Sequence, residues 1–371
     1  MLRILQLYPK ADYFTGAAIQ LHELARGLNA RGHDVAVATH PSRIWSEKAR
    51  TAGIPHYPLP MKSALNFGSL RELIRILRER RIQIVHAQKG RARTLALLAG
   101  MFVKIPVLIV NRGVSFPLNR FNRLGYTTRR VAAIVAVSES IKRRLVEQEG
   151  IPHEKIEVIY SGTDTDRFHP AIDSAQIRRE LGLTSEQLLI TQIGIRSVRG
   201  NDDVLDAMAT VSTRVPHARL LLVGASETKA TILRQKAEAR GIHQNVSVFA
   251  FREDIPEILA ASDCCVDASY AGLGLTGALR EALAMETPVV ATRIEGNPEL
   301  VRHGETGLLV PPHAPEALAD AILAIFENPT NARAMARAGR KLVEEKFCTR
   351  VKVERTEQLY RRLLAQHGGP R

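Results

Sequence analysis

The stretch G-L-G-L-T-G-A-L-R-E-A-L-A-M-E-T-P, residues 272–288, follows an apolar run at 264–268 that reads as a strand. Helical spacing runs over 276–285, and Pro288 with Val289-Val290-Ala291 opens a further strand. Glycines at a strand-to-helix turn let backbone approach a ligand closely. The first N–H groups of a helix have no partners within it, and the helix dipole adds partial positive charge there. Strand, glycine turn and helix start together form a seat for a phosphate. Glu281 lies five residues after Thr276 on the same helix, an acceptor for the two hydroxyls of a ribose carried by that phosphate.

A length of 371 residues suggests two domains of ordinary size. Three cysteines, two of them the adjacent Cys264 and Cys265, supply neither a disulfide framework nor a C-x-x-C metal spacing. That usage fits a reducing compartment, and the expected location is cytoplasmic. Arg3, Lys10 and Asp12 interrupt any apolar core of a signal peptide. The longest apolar run, 95–110, is broken by Lys104 and Pro106; it reads as a buried helix and then a strand, too short to span a bilayer. No cluster demands a metal, so none is expected.

The charge is unevenly placed. Residues 1–170 carry 27 Lys and Arg against 13 Asp and Glu, whereas residues 171–371 carry 25 of each. The whole net charge of +14 therefore sits in the first half, which argues for an anionic partner or surface. Nucleic acid is one candidate, but the basic residues are not interleaved with stacking aromatics and no binding-motif spacing is present. An anionic membrane face, touched peripherally, or a phosphorylated lipid-linked acceptor fits as well.

Both halves alternate apolar runs with amphipathic stretches. In the first, runs at 4–7, 35–38, 82–85, 107–110, 134–137 and 156–159 read as strands, with helical spacing at 17–29 and 69–80. In the second, strands are expected at 188–193, 219–223, 246–249, 264–268, 289–291 and 307–310, with helices at 202–213, 227–240 and 276–285. Near-continuous β-branched runs separated by helices mean parallel sheets covered on both faces. Ser138 is a good N-cap; Asp254 with Glu257 resembles a capping box; Asn297-Pro298 reads as N-cap and first helical residue. The tail from 315 to 365 is helical, with breaks near Pro329 and Phe347. The expected fold is α/β, with two Rossmann-like domains facing a central cleft and ligands at the carboxyl ends of strands. The first strand is not followed by G-x-G-x-x-G, so no dinucleotide cofactor is expected.

Two more loops of the second half belong with the glycine stretch. In G-I-R-S-V-R-G, residues 194–200, Arg196 and Arg199 follow a strand end, and arginine is suited to fork onto phosphate oxygens. In F-A-F-R, residues 249–252, backbone beside Phe251 and Arg252 is placed to read a base edge.

The chain resembles glycosyltransferase family 4, a family of GT-B fold. The resemblance rests on R-G-H-D-V (31–35), I-V-H-A (84–87), I-E-V-I-Y-S-G-T-D-T-D-R-F-H-P (156–170) and R-S-V-R-G (196–200). It continues through E-A-L-A-M-E-T-P-V-V-A-T (281–292) and the segment from G-N-P-E-L-V to G-E-T-G-L-L-V-P-P (296–312). Their order and spacing run along nearly the whole chain. The resemblance implies an acceptor-side domain over 1–168, with a C-terminal helix at 351–366 packing back on it, and a donor domain over 169–345. It implies a retaining transfer from a UDP-, GDP- or ADP-sugar to a saccharide or lipid-linked acceptor, such as a growing lipopolysaccharide core, without a cofactor. Arg196 and Arg199 would hold the diphosphate, with Arg199 in the place of the family's lysine. Gly272, Leu273 and Gly274, with Leu275 and Thr276 after them, would offer backbone to sugar and phosphate. Glu281 would bind the ribose, and Gly16 would let donor and acceptor meet. His86, Lys89, Arg91 and Arg93 are the acceptor-side candidates.

Two departures concern the transferred sugar. The first acidic residue of the family's paired-glutamate motif falls on Leu273, or on Ala271 in a shifted register, and neither is acidic. The family's histidine in an H-G pair is Arg112 here, before Gly113. The functional reading is an altered sugar specificity with Arg112 recruited to it; the other reading is a nucleotide-sugar-binding protein that does not transfer.

Overall fold

Among the described residues, thirteen parallel strands form two sheets, each within its own compact unit. The computed structural model describes residues 1–11, 15–61, 66–272 and 274–367. Unit 1 spans residues 1–162 and 349–371, and unit 2 spans 163–348.

In unit 1 the order along the chain is β1 (Arg3–Tyr8), α1 (Gly16–Ala30), β2 (Asp34–Thr39), α2 (Arg43–Thr51), β3 (His56–Pro58) and α3 (Phe67–Glu79). It continues with β4 (Ile84–Gln88), α4 (Lys89–Ala99), β5 (Val107–Arg112), α5 (Arg120–Thr127), β6 (Ala133–Ala136), α6 (Glu139–Glu147) and β7 (Ile156–Val158). The sheet order is β3-β2-β1-β4-β5-β6-β7. Both faces of this sheet are covered, and the two layers of apolar side chains form separate clusters around Leu5, Val85 and Val110 and around Ile4, Ile84 and Ile109. Alternation of the strand residues between these clusters follows from the two-residue repeat of a strand.

Unit 2 runs α7 (Ala175–Glu180), β8 (Leu189–Ile193), α8 (Asn201–Arg214), β9 (Arg219–Val223), α9 (Glu227–Ala239), β10 (Val246–Phe249) and α10 (Ile255–Ala261). Then come β11 (Cys264–Asp267), α11 (Gly277–Ala284), β12 (Val289–Thr292), α12 (Asn297–Leu300), β13 (Leu308–Val310), α13 (Pro315–Glu327) and α14 (Pro329–Leu342). The order β10-β9-β8-β11-β12-β13 repeats the pattern of unit 1. Strand order reverses beside β1 and β4 in one sheet and beside β8 and β11 in the other. Ligands of such sheets bind beyond the carboxyl ends of strands at that reversal.

The last helix, α15 (Thr349–His367), belongs to unit 1 and lies on α1. The approach is close at Gly27, where a Cβ would sit 2.5 Å from Val353 Cγ2. Tyr360 is fully buried. Its hydroxyl accepts from Gln6 Nε2 at 3.0 Å and meets His86 Nδ1 at 2.7 Å. Glu357 holds Arg31 at 2.5 Å and Arg361 at 2.8 Å, with His33 Nε2 at 3.1 Å. The cuts fall at 162/163 and 348/349 because Thr163 pairs with Cys348 and donates its N–H to Phe347 at 2.8 Å, tying both crossings to unit 2.

Ser138 accepts from the Ile141 N–H at 3.2 Å, as a cap should. Asp254 does not cap its helix, because its carboxylate is taken by Arg252 at 2.5 Å. Asn297 is the first helical residue rather than the cap, and its amide instead donates to the Thr292 carbonyl at 3.0 Å. The strand expected at 82–85 lies at 84–88, so His86 is inside β4 rather than beyond it.

Candidate active site

The site is built at the strand reversal of unit 2. After β8 the chain turns at Gly194, makes one 3-10 turn over Ser197–Arg199, and enters α8 through Gly200. Gly200 has φ +61°, and a Cβ there would stand 2.1 Å from the Ala268 carbonyl oxygen. Only glycine lets the turn lie flush against the end of β11. Three bonds fix it: the Tyr270 N–H donates to Val198 O at 3.0 Å, Tyr270 Oη to Ser197 O at 2.7 Å, and Gln192 Nε2 to Arg199 O at 2.7 Å.

That turn delivers the buried Arg199 side chain. Its Nη1 donates to Asp267, the last residue of β11, and lies 3.3 Å from Ser269 Oγ and 3.5 Å from Thr276 Oγ1. All three contacts come from one guanidinium nitrogen, and Nε has no partner among the described residues. Thr276 is the N-cap residue of α11, yet its side chain makes no capping bond. The first amides of α11 therefore keep their outward donors. Arg199 and the helix start are together, as expected. Arg196 is not drawn in: its guanidinium is exposed, and among the described residues its hydrogen bonds are to its carbonyl, from the Arg199 N–H and from Asn201 Nδ2, each at 3.1 Å.

The glycine turn is buttressed from β12. Gly272 has φ +80°, and its N–H donates to Glu295 Oε1 at 3.2 Å. Glu295 itself has φ +43°, unusual for a residue with a side chain. A Cβ on Gly296 would lie 1.8 Å from the Gly274 carbonyl oxygen, so the 295–296 corner presses directly on the turn. Leu273 lies outside the described residues, and Leu275 is half-buried.

Glu281 is half-buried and, among the described residues, has no ion pair or side-chain hydrogen bond. Burial pushes its carboxyl above the usual range, while Arg280, Arg167 and Arg199 pull it back. A Cβ built on Gly277 would be 3.6 Å from Glu281 Oε1 and 3.8 Å from Arg280 Nη2. Both side chains thus close on the bare Cα that begins α11. Phe251, beyond β10, is 52% exposed. Arg252 is committed elsewhere: it holds Glu180 at 2.6 and 2.9 Å and Asp254 at 2.8 and 2.5 Å, with its guanidinium 4.8 Å from the Phe249 ring centre.

In unit 1, Gly16 opens α1, and a Cβ there would meet nothing within 4 Å. His86 is buried against Tyr360, and burial together with Lys352 pushes its imidazole down to about 3, so it stays neutral. Arg93 is buried as well, bonded to Asn122 Oδ1 at 2.8 Å and stacked 4.4 Å from the Tyr126 ring centre; it ties α4 to α5. Lys89 and Arg112 do reach strand ends. Lys89 has φ +69° and sits 5.4 Å from the Tyr8 ring centre. Arg112 ends β5 and donates to the Phe116 carbonyl.

Sequence reasoning missed Asp267, Tyr270, Arg280 and Glu295. Asp267 reads as part of a strand, and its partner is 68 residues away. Arg280 carried one signal: a charge among the apolar positions of the 276–285 helix pattern.

A family model described as Glycosyltransferase Family 4 matches residues 14–167, and one described as Glycosyl transferases group 1 matches residues 188–328. An N-acetyl-alpha-D-glucosaminyl L-malate synthase of Bacillus anthracis is 28% identical over 370 residues, covering 93% of each chain. A glycosyltransferase structure from Rickettsia africae superposes with a TM-score of 0.90 over 98% of both chains at 22% identity. An Anabaena protein solved with UDP gives 0.86 over 96% of this chain and 99% of that one, at 20% identity.

Proposed function

The chain belongs to the family 4 glycosyltransferases of GT-B fold, and from that premise we propose a retaining transfer from a nucleotide-diphosphate sugar to an anionic saccharide or lipid-linked acceptor. The observation that carries this reading is Arg199 beside the Thr276 cap of α11, with Glu281 further along the same helix. Arg199 and the first amides of α11 take the diphosphate, with Arg196 reaching it from solvent. Their donors face the charge that grows as the sugar leaves, which is electrostatic stabilisation of the transition state. Glu281 takes the ribose hydroxyls, and Phe251 and its neighbours line the base. Gly272, Gly274 and Leu275 present backbone to the sugar. In a retaining transfer the departing phosphate receives the acceptor proton on the same face, so no separate base is invoked.

The basic first half supports an anionic acceptor. The name of the Bacillus relative includes an anion, L-malate, which supports the same reading. Gly16, Lys89 and Arg112 of unit 1 are the acceptor-side groups of this reading. Work in the cytoplasm at an anionic membrane face, as in lipopolysaccharide core assembly, is one form it takes. The UDP in the Anabaena structure supports a uridine donor.

A binding protein without transferase activity is favoured by one observation: Arg199 already holds Asp267. One assay separates the two. Purified protein incubated with a panel of nucleotide sugars and anionic acceptors releases nucleoside diphosphate, and Glu281→Ala abolishes the release. Nucleotide binding without release from any donor would overturn the transferase reading.

A further inference from the structure

Two buried guanidinium groups flank the start of α11, and they differ in what they hold. Arg199 is paired with Asp267. Arg280 is 3% exposed and, among the described residues, has no ion pair. Among the described residues, the one hydrogen bond of its side chain runs from Nη1 to the Leu275 carbonyl at 3.5 Å, the far limit of such a bond, and Nε has no partner. Glu281 is the carboxylate that acts on it, without forming an ion pair, and a buried cation so incompletely paired is costly.

The direction in which Arg280 points is set by two contacts. Nη1 reaches back to Leu275, just before the Thr276 cap, and Nη2 lies over the Cα of Gly277. The guanidinium therefore folds back along the helix to the turn whose amides have no intrahelical acceptor. Glu281 Oε1 approaches the same Cα from the next position. A glycine at 277 leaves that meeting point without a side chain.

We propose that Arg280 binds an anionic oxygen of the donor seated on the first turn of α11. The inference rests on the reading of this turn as the donor site. It assigns to Arg280 the charge that Arg199, already neutralised by Asp267, supplies only in part. Burial pushes the Arg280 guanidinium down to about 10, with Glu281 opposing, which is the direction expected of a cation awaiting its counter-ion. The anionic oxygen has two sources of the same chemistry: the donor diphosphate, or a carboxylate on the transferred sugar. An acidic sugar is consistent with the absence of an acid at both Ala271 and Leu273.

Calorimetric titration of wild type, Arg280→Gln and Arg280→Lys separates these cases. The titrants are UDP, GDP and ADP, the matching nucleosides, and a nucleotide-linked hexose and hexuronate. Losing one charge-assisted bond predicts about tenfold weaker binding of the diphosphate in Arg280→Gln, with the nucleoside unchanged and Arg280→Lys intermediate. A loss confined to the hexuronate conjugate supports the proposal with the carboxylate as source. Equal affinities in all three proteins, or a nucleoside affinity that falls in step with the diphosphate, overturns it while leaving the donor site standing. A wild type that binds no nucleotide overturns the donor-site reading and this proposal together. Melting temperatures confirm folding, and the lysine variant carries the test if the glutamine variant does not fold.

Discussion

Arg199, in the turn after β8, and Asp267, at the end of β11, form a buried ion pair across the strand reversal of unit 2. The pair places a guanidinium 3.5 Å from the Thr276 hydroxyl at the start of α11. Removing one partner of a buried pair typically costs about 3–5 kcal/mol, because the other charge is left stranded. Asp267→Ala is therefore expected to lose stability on that scale in chemical denaturation. A nucleoside diphosphate, giving Arg199 a new anion, restores part of the loss, so its stabilising effect is larger in the variant than in wild type. An equal ligand-induced shift in both would show that Arg199 does not meet the diphosphate.

Gly200→Ala tests how the arginine turn is held. A left-handed alanine alone costs about 1–2 kcal/mol. The added Cβ also strikes the Ala268 carbonyl oxygen, which is backbone and has no rotamer to escape into. Reduced stability and a raised donor KM are expected together. A variant with unchanged KM would mean that the turn does not touch the donor.

Much of this arrangement was open to reading from the residues, and the part that was not has physical reasons. Runs such as 220–223 are β-branched or leucine-rich throughout because they are buried on both faces, so a parallel sheet was legible. β3 was not, because three residues ending in Pro58 at a sheet edge carry no periodicity. The glycine turn and Arg199 were legible because phosphate chemistry has local signals. Asp267 and Glu295 were not, because each acts on a residue distant in sequence, Arg199 and Gly272 respectively. Arg196 looked equivalent to Arg199 as a residue type. Only the 3-10 turn, which buries one and exposes the other, tells them apart.

Glu295→Gly removes two opposing effects. It relieves a side chain from φ +43°, a gain of about 1–2 kcal/mol. It also deletes the acceptor of the Gly272 N–H, a loss of about 0.5–1.5 kcal/mol. Stability is expected to change by no more than about 1.5 kcal/mol, while the donor KM rises as the glycine turn loosens. Unaltered kinetics would remove Glu295 from the account of the site.

Acid sensitivity is expected at the anchor of α15. Burial opposes ionisation of Glu357, but Arg361, Arg31 and His33 outweigh it and hold the carboxyl down to about 2, from an ordinary 4.5. Its folded value is below its unfolded one, so the stabilisation is complete above about pH 4.5 and is lost as pH falls toward 2. Amide exchange along α15 in wild type should accelerate across that window. In Glu357→Gln it should already be faster at neutral pH and lack the acid step. Identical pH profiles would refute the anchor.

The central claim is that a donor diphosphate sits on the first turn of α11 beside Arg199. A crystal structure of the protein with a nucleoside diphosphate tests it most directly. The account predicts phosphate oxygens within hydrogen-bonding distance of the α11 amides and the Arg199 guanidinium, and the ribose against Glu281. Phosphates bound away from α11, with Arg199 still closed on Asp267, would contradict it.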